Sequence, residues 1–256
     1  MQVVMAGQGA GIFALCLAIT LFAGFVKGTV GFAMPLIMIG SFSAFLSPEV
    51  ALAGLVLPTL VTNLSQAFRE GVVPALQTAR TYWRFLTATL LLIPVSAQVV
   101  DQIPGAVFLL LLGVPLTAYA GLLLAGRSLA IALDHRVRAE WMLGVAGGLY
   151  GGVSGVWGPP LMVLLLSTGT AKAQVVRAQG VVFLLGAVVL LASHLQTGVL
   201  NASTLPFSAA LSLPAMAGLL LGYRLGDRLD EARFRRWTHA LLVVTGLNLI
   251  RQALVN

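Results

Sequence analysis

Ten apolar runs, separated by short polar gaps, occupy most of this 256-residue chain. A helix that crosses a bilayer needs ~20 apolar residues, and most of the runs reach that length. Only 9% of the residues are charged, against about 25% in soluble domains, so most of the surface must face lipid. The sequence therefore predicts an all-α polytopic membrane protein. The runs are 9–26, 28–46, 50–68, 84–100, 104–126, 141–155, 156–170, 175–196, 205–223 and 236–254.

An internal repeat relates the two halves of the chain. The segment GFVKGTVGFAMP (24–35) aligns with GLYGGVSGVWGP (148–159), and three glycines and a proline match at a constant offset. Similar hydropathy flanks both segments, which indicates an ancient duplication. We therefore predict a first membrane repeat over 1–126, a cytoplasmic linker over 127–140 and a second membrane repeat over 141–256.

The distribution of positive charge predicts the topology. Thirteen Lys and Arg residues of the polar gaps fall on one side of the membrane only if each Gly-rich pair of runs enters the bilayer and comes back. The positive-inside rule selects that arrangement, which makes the second repeat inverted and both termini extracytoplasmic. Each Gly-rich pair is then a re-entrant hairpin or two crossings, followed by three spanning helices. We expect a multi-pass protein of the bacterial inner membrane.

The two aligned segments are candidate breaks in the helices. Broken backbone survives in a membrane only beside protein or a watery cavity, and inverted repeats with broken helices are typical of secondary transporters. Free N–H groups at the start of the next half-helix favour an anion. Close helix packing is the alternative explanation of the glycines. The substrate-binding candidates in these segments are Gly28, Thr29, Gly31, Ser154, Gly155 and Trp157.

Lys27 lies between Gly24 and Gly28, inside the first predicted break. A cation within a membrane is costly unless it faces a cavity or a partner, and no carboxylate lies in an apolar run to neutralise it. A bound anion is therefore a natural partner of Lys27. Snorkelling to the interface is the alternative.

Four further polar residues complete the set of binding candidates. Asn63 and Gln66 belong to a polar patch in the third run and could supply neutral donors, or could bond a neighbouring helix. Arg177 begins the 175–196 run with Gln179 nearby, and its planar fork suits the oxygens of an oxyanion. A role as a cytoplasmic end-of-helix anchor is the alternative for Arg177.

The segments AGFVKGTVGFAMPLI and GGLYGGVSGVWGPPLMV resemble those of the sulfite exporter TauE/SafE family, and the similarity covers about residues 11–254. The resemblance implies a transporter that exports small anions, such as sulfite, sulfoacetate or related organosulfonates, by alternating access. An anion channel, or an exporter of non-sulfur organic anions, remains the alternative. Lys27 has Gly151 as its counterpart, which departs from the internal symmetry of the family; if the binding site is symmetric in other members, it should be asymmetric here.

Other classes of function find little support in the sequence. No His/Glu cluster or Ser/His/Asp set lies at one membrane depth, and the single Cys16 offers no zinc spacing, so we predict no enzyme, no catalytic residues, no metal and no cofactor. The basic residues lie in scattered gaps, which argues against nucleic acid. The expected partners are a small anion and the lipid bilayer, with a homodimer as an open alternative.

Overall fold

The computed structural model describes residues 9–127, 130, 135–226 and 230–255. Within these residues all regular structure is helical, as the apolar runs predict. Parts of the predicted 127–140 linker, Arg228 and both chain ends lie outside the described residues. The helices are α1 (Ala10–Val30), α2 (Met34–Phe42), α3 (Pro48–Ala67), α4 (Val72–Thr81), α5 (Trp83–Ala97), a short 3₁₀ helix (Val100–Gln102), α6 (Gly105–Leu124), α7 (Arg136–Ser154), α8 (Gly158–Ser167), α9 (Lys172–Gln196), α10 (Leu205–Gly226) and α11 (Glu231–Val255).

Six of the described helices are long and apolar enough to cross a membrane. They are α1, α3, α6, α9, α10 and α11. Each of the ten apolar runs corresponds to one helix. Helix α4 is the one described α-helix that no apolar run predicts, because it falls in the polar gap after the third run. The apolar residues of α4 are too few to be recognised as an apolar run; they include Val72, Val73, Ala75 and Leu76.

The first break lies further along the chain than the glycine spacing predicts. Helix α1 continues through Lys27 to Val30, so the placement of Lys27 inside the break is wrong. The chain turns at Gly31, whose φ is +85°, and at Ala33, whose φ is +79°. Helix α2 begins directly afterwards at Met34, and Pro35 occupies its first turn.

Packing against α10 explains why α1 stays helical at its earlier glycines. A Cβ on Gly24 would collide with the carbonyl oxygen of Ala215, and one on Gly28 with that of Leu219. Small residues let two helix backbones approach closely in a membrane. Gly24 and Gly28 therefore serve the α1–α10 contact, and the left-handed turn falls at Gly31.

The second break repeats this construction. Helix α7 ends at Ser154, and Gly155 follows in the left-handed region with φ +69°. Its N–H donates to the carbonyl oxygen of Gly151. Helix α8 begins at Gly158 with prolines in its first turn. The earlier glycines of α7, such as Gly144 and Gly148, lie against the backbone of α5.

Aromatic contacts show that α2 folds back along α1. The ring of Phe207, near the start of α10, lies 6.2 Å from Phe13 at the start of α1 and 6.5 Å from Phe42 at the end of α2. The beginning of α1 and the end of α2 therefore lie at the same end of the molecule.

Helices α3 and α9 pack together and run antiparallel. Gln66, near the end of α3, donates from Nε2 to the carbonyl oxygen of Val176 near the start of α9, at 3.0 Å. At the other end of the pair, a Cβ on Gly155 would contact both Leu55 of α3 and Leu190 of α9.

The basic polar connections gather at one end of the molecule. The guanidinium of Arg69, after α3, lies 4.2 Å from the centre of the Tyr223 ring near the end of α10. Glu70 pairs with Arg177 at the start of α9 at 2.7 Å. The start of α5 joins the start of α7 through Arg84 and the buried Glu140, 3.0 Å apart.

Candidate functional site

The two breaks meet at one small cavity of about 30 Å³. This volume has room for only a few water-sized groups. Both turns and the first residues of α2 and α8 contribute to its wall, together with side chains of α3, α6 and α9. The lining residues are Phe32, Ala33, Pro35, Leu36, Thr59, Asn63, Tyr119, Gly155, Val156, Trp157, Gly158, Pro159 and Phe183.

Three side chains that line the cavity carry a buried group with no hydrogen-bond partner among the described residues. These groups are Thr59 Oγ1, Asn63 Nδ2 and Tyr119 Oη. Each of them can donate a hydrogen bond. Because an unpartnered buried polar group costs roughly 1–3 kcal/mol, three of them around one cavity indicate a ligand that accepts hydrogen bonds.

Lys27 lies directly behind one of these donors. Its side chain is 1% exposed, and its ammonium donates to Thr62 Oγ1 at 2.9 Å and to Asn63 Oδ1. An ammonium can only donate, so the oxygen of the Asn63 amide must face Lys27. The Nδ2 group of Asn63 is then left for the cavity. Lys27 itself is not a lining residue.

The charge of Lys27 has no partner of opposite sign in the described residues. No described carboxylate lies within 4.0 Å of its ammonium. A charge buried in a membrane protein without such a partner is strongly disfavoured and marks a functional site. The positive charge of Lys27 is therefore separated from the cavity by the side chain of Asn63.

Backbone geometry adds to the positive character of the cavity. Helices α2 and α8 both begin at its wall, so the positive ends of two helix dipoles are directed at it. Ala33 is the only non-glycine residue with positive φ in the described chain. Such strain costs on the order of 1–3 kcal/mol and is typical of functional sites.

Sequence reasoning selects three residues that line the cavity, namely Asn63, Gly155 and Trp157. Two more candidates, Gln66 and Gly31, form a contact that stabilises the first break. Gln66 donates from Nε2 to the carbonyl oxygen of Gly31 at 3.0 Å. The Gln66 side chain therefore fixes the turn at the end of α1.

The other candidates lie around the cavity rather than in its wall. Ser154 donates to the carbonyl oxygen of Tyr150 at 2.7 Å, and Thr29 to that of Val26 at 2.8 Å. Gln179 Nε2 lies 2.9 Å from the sulfur of Met162. As already described, Gly28 lies at the contact with α10.

Arg177 lies at the polar end of the molecule. Besides its pair with Glu70, it donates from Nε to Thr78 of α4 at 3.1 Å. These contacts join the start of α9 to α4 and to the connection that follows α3. Arg177 is not among the residues that line the cavity.

Comparison with known proteins decides the family. The family model described as Sulfite exporter TauE/SafE matches residues 16–249, which is nearly the whole chain. The chain belongs to the TauE/SafE family. No curated protein and no solved structure gives a match. Six apolar helices together with this transporter family make the chain a multi-pass membrane transport protein of the exporter class.

In this TauE/SafE chain, sequence reasoning missed most of the lining residues, among them Thr59, Tyr119 and Phe183. One signal was available: Thr59 precedes Asn63 by four residues, so both lie on one face of a helix. Tyr119 and Phe183 give no local signal, because aromatic residues within apolar runs commonly face lipid or neighbouring helices.

Proposed function

We propose that this TauE/SafE chain exports small anions by alternating access, with sulfite, sulfoacetate or related organosulfonates as the substrate class that the family suggests. One observation carries the proposal. Donors that have no partner among the described residues surround a small cavity where two helix breaks meet. Behind one of them lies an ammonium that no described carboxylate contacts. An anion accepts hydrogen bonds and supplies the missing negative charge.

Inverted repeats are the architecture we propose for alternating access. The helix contacts support a two-fold relation: α1 packs on α10 as α7 packs on α5, while α3 packs on α9 and α6 on α11. The antiparallel course of α3 and α9 supports opposite orientations of the two halves. In this arrangement the halves rock about the cavity.

Re-entrant hairpins are our proposal for the two Gly-rich pairs. Helices α2 and α8 have 9 and 10 residues, which at 1.5 Å per residue is roughly 14 Å, about half the hydrocarbon core. By the positive-inside rule, the end of the molecule with Arg69 and Arg177 lies on the cytoplasmic side of a bacterial inner membrane. Both termini are then extracytoplasmic.

The membrane potential is a sufficient driving force for export. An inside-negative potential favours the exit of an anion by about 2.3 kcal/mol per charge per 100 mV. A uniporter therefore needs no coupling carboxylate, and the described apolar helices hold none at the cavity.

Anion efflux from proteoliposomes tests the proposal. We expect saturable efflux of an organosulfonate that accelerates when a potassium diffusion potential makes the interior negative, and that falls at least tenfold in Lys27→Met. Trans-side substrate should stimulate exchange, because a carrier returns faster when loaded. Efflux that ignores the potential would contradict uniport, and the absence of counterflow would favour the channel alternative.

A further inference from the structure

We propose that the cavity selects small organic monoanions that carry an apolar group, and that it binds inorganic oxyanions such as sulfite less well. This inference rests on the proposed anion export and narrows its substrate class. It follows from the different chemistry of the parts of the cavity wall that come from the two halves of the chain.

The hydrogen-bonding part of the wall comes from the first half of the chain. Thr59 and Asn63 lie one turn apart on α3, are 1% and 0% exposed, and each carries an unpartnered group. The ammonium of Lys27 stands behind Asn63. Donors and positive charge are therefore concentrated together, as the anionic group of a ligand requires.

The part of the wall that comes from the second half is apolar and includes two aromatic rings. Trp157 and Phe183 form an edge-to-face pair with ring centroids 6.2 Å apart. The edge of the indole that carries Nε1 lies against Gly186 of α9, where a Cβ would come within 3.0 Å of Nε1. The indole therefore presents its apolar surface to the cavity, with its N–H directed towards α9.

The repeat explains how this asymmetry arises. In the aligned segments Lys27 and Ala33 of the first half correspond to Gly151 and Trp157 of the second. A Cβ on Gly151 would lie 2.9 Å from the indole of Trp157. In the first half the large residue, Lys27, precedes the break. In the second half the large residue, Trp157, follows the turn at Gly155. The second half thus lacks a counterpart of the Lys27 cation and has an indole where the first half has the small Ala33.

An anion in this cavity finds side-chain donors and a cation only in the part of the wall that comes from the first half. An inorganic oxyanion would place some of its oxygens against aromatic carbon, where the loss of their hydration is not compensated. An alkyl group in the same place gains from burial. The single ammonium balances one negative charge, so a dianion such as sulfoacetate would leave a charge unneutralised.

Equilibrium binding to the purified full-length protein tests the inference with sulfite, methanesulfonate, ethanesulfonate and sulfoacetate as probes. Ethanesulfonate should bind about fourfold more tightly than methanesulfonate, as expected for one buried methylene, and at least tenfold more tightly than sulfite or sulfoacetate. Sulfite binding as tight as that of ethanesulfonate would overturn the inference while leaving anion export in place. Failure of all four anions to bind would overturn both.

Two variants locate the apolar contact. Trp157→Leu should weaken ethanesulfonate binding at least fivefold and leave sulfite affinity within twofold of that of the wild type. The preference for ethanesulfonate over sulfite then becomes smaller. Phe183→Leu, a milder change, should act in the same direction. Trp141→Leu is the matched control, because that indole is 37% exposed and contacts Trp83. Equal weakening of both anions by Trp157→Leu and Phe183→Leu would overturn the assignment of this wall.

Discussion

Lys27 and Asn63 form a pair in which one buried side chain fixes the orientation of the other. The ammonium holds the amide oxygen of Asn63, which leaves the amide N–H groups for the cavity. Lys27 thus supplies charge at a distance, while Asn63 makes the contact. This division of roles predicts that a carboxylate in place of the amide would satisfy Lys27 and abolish the site.

Asn63→Asp should separate stability from binding. The new carboxylate would neutralise the buried ammonium, so the melting temperature should equal or exceed that of the wild type. The added negative charge would repel an anion about 6 Å away by roughly 3 kcal/mol at an effective dielectric constant of ~20, which is about a hundredfold in affinity. Thermal unfolding and anion binding measured on one preparation check both results. Unchanged anion affinity would contradict this role of Asn63.

The hydroxyl of Tyr119 gives a second test at this scale. Because that hydroxyl has no partner among the described residues, Tyr119→Phe should not lower the melting temperature. Loss of a hydrogen bond to a charged ligand costs about 1.5–3 kcal/mol, so anion affinity should fall at least tenfold. The control is Tyr82→Phe, which removes a hydroxyl 3.1 Å from Thr170 and should lower stability slightly without changing affinity. An affinity that is the same in both variants would exclude Tyr119 from the site.

Sequence reasoning reached Asn63 and Trp157 because a polar patch and a Gly-rich break are unusual within apolar runs. It could not reach Tyr119 or Phe183, whose contribution depends on which helix face turns inward. Packing with α2 and α8 determines which helix face turns inward, and a local sequence pattern does not indicate that packing.

At the scale of the helices, glycine has two distinct uses in this chain. In α1 and α7 it permits close contact with α10 and α5, and only after those contacts does it end the helix in a left-handed turn. The sequence indicates both breaks but misplaces the first, because a glycine that faces a neighbouring backbone and a glycine that turns the chain look alike in a sequence. The packing partner decides between the two uses.

Gly218→Ala tests the close contact of α1 with α10. A Cβ on Gly218 would collide with the carbonyl oxygen of Leu21, so the helices must separate and lose packing along their length. We expect a clear fall in melting temperature in detergent, measured by size-exclusion chromatography after heating. Gly121→Ala is the control, since nothing lies within 4 Å of its Cβ, and alanine there should stabilise α6 by up to about 1 kcal/mol. Equal melting temperatures for the two variants would contradict the packing role.

At the scale of the whole molecule, charge and hydropathy predicted more than local motifs did. The ten runs account for all described α-helices except α4. The connection after α3, which charge counting assigns to one side with the other basic connections, contacts the end of α10 and the start of α9. The inverted relation of the halves and the movement of the cavity between two openings stay predictions. Both require that one buried position be reached from each side of the membrane.

Accessibility of a cysteine at Leu36 measures this most directly. Leu36 is 4% exposed and lines the cavity without supplying a donor, so Leu36→Cys in a Cys16→Ala background reports on the cavity alone. Leu213→Cys, at a 78% exposed position of α10, is the control that should face lipid and not react. We expect a membrane-impermeant thiol reagent to modify Cys at position 36 in vesicles of both orientations, and ethanesulfonate to slow the reaction from each side. Modification from one side only, at a rate that no anion changes, would contradict the account.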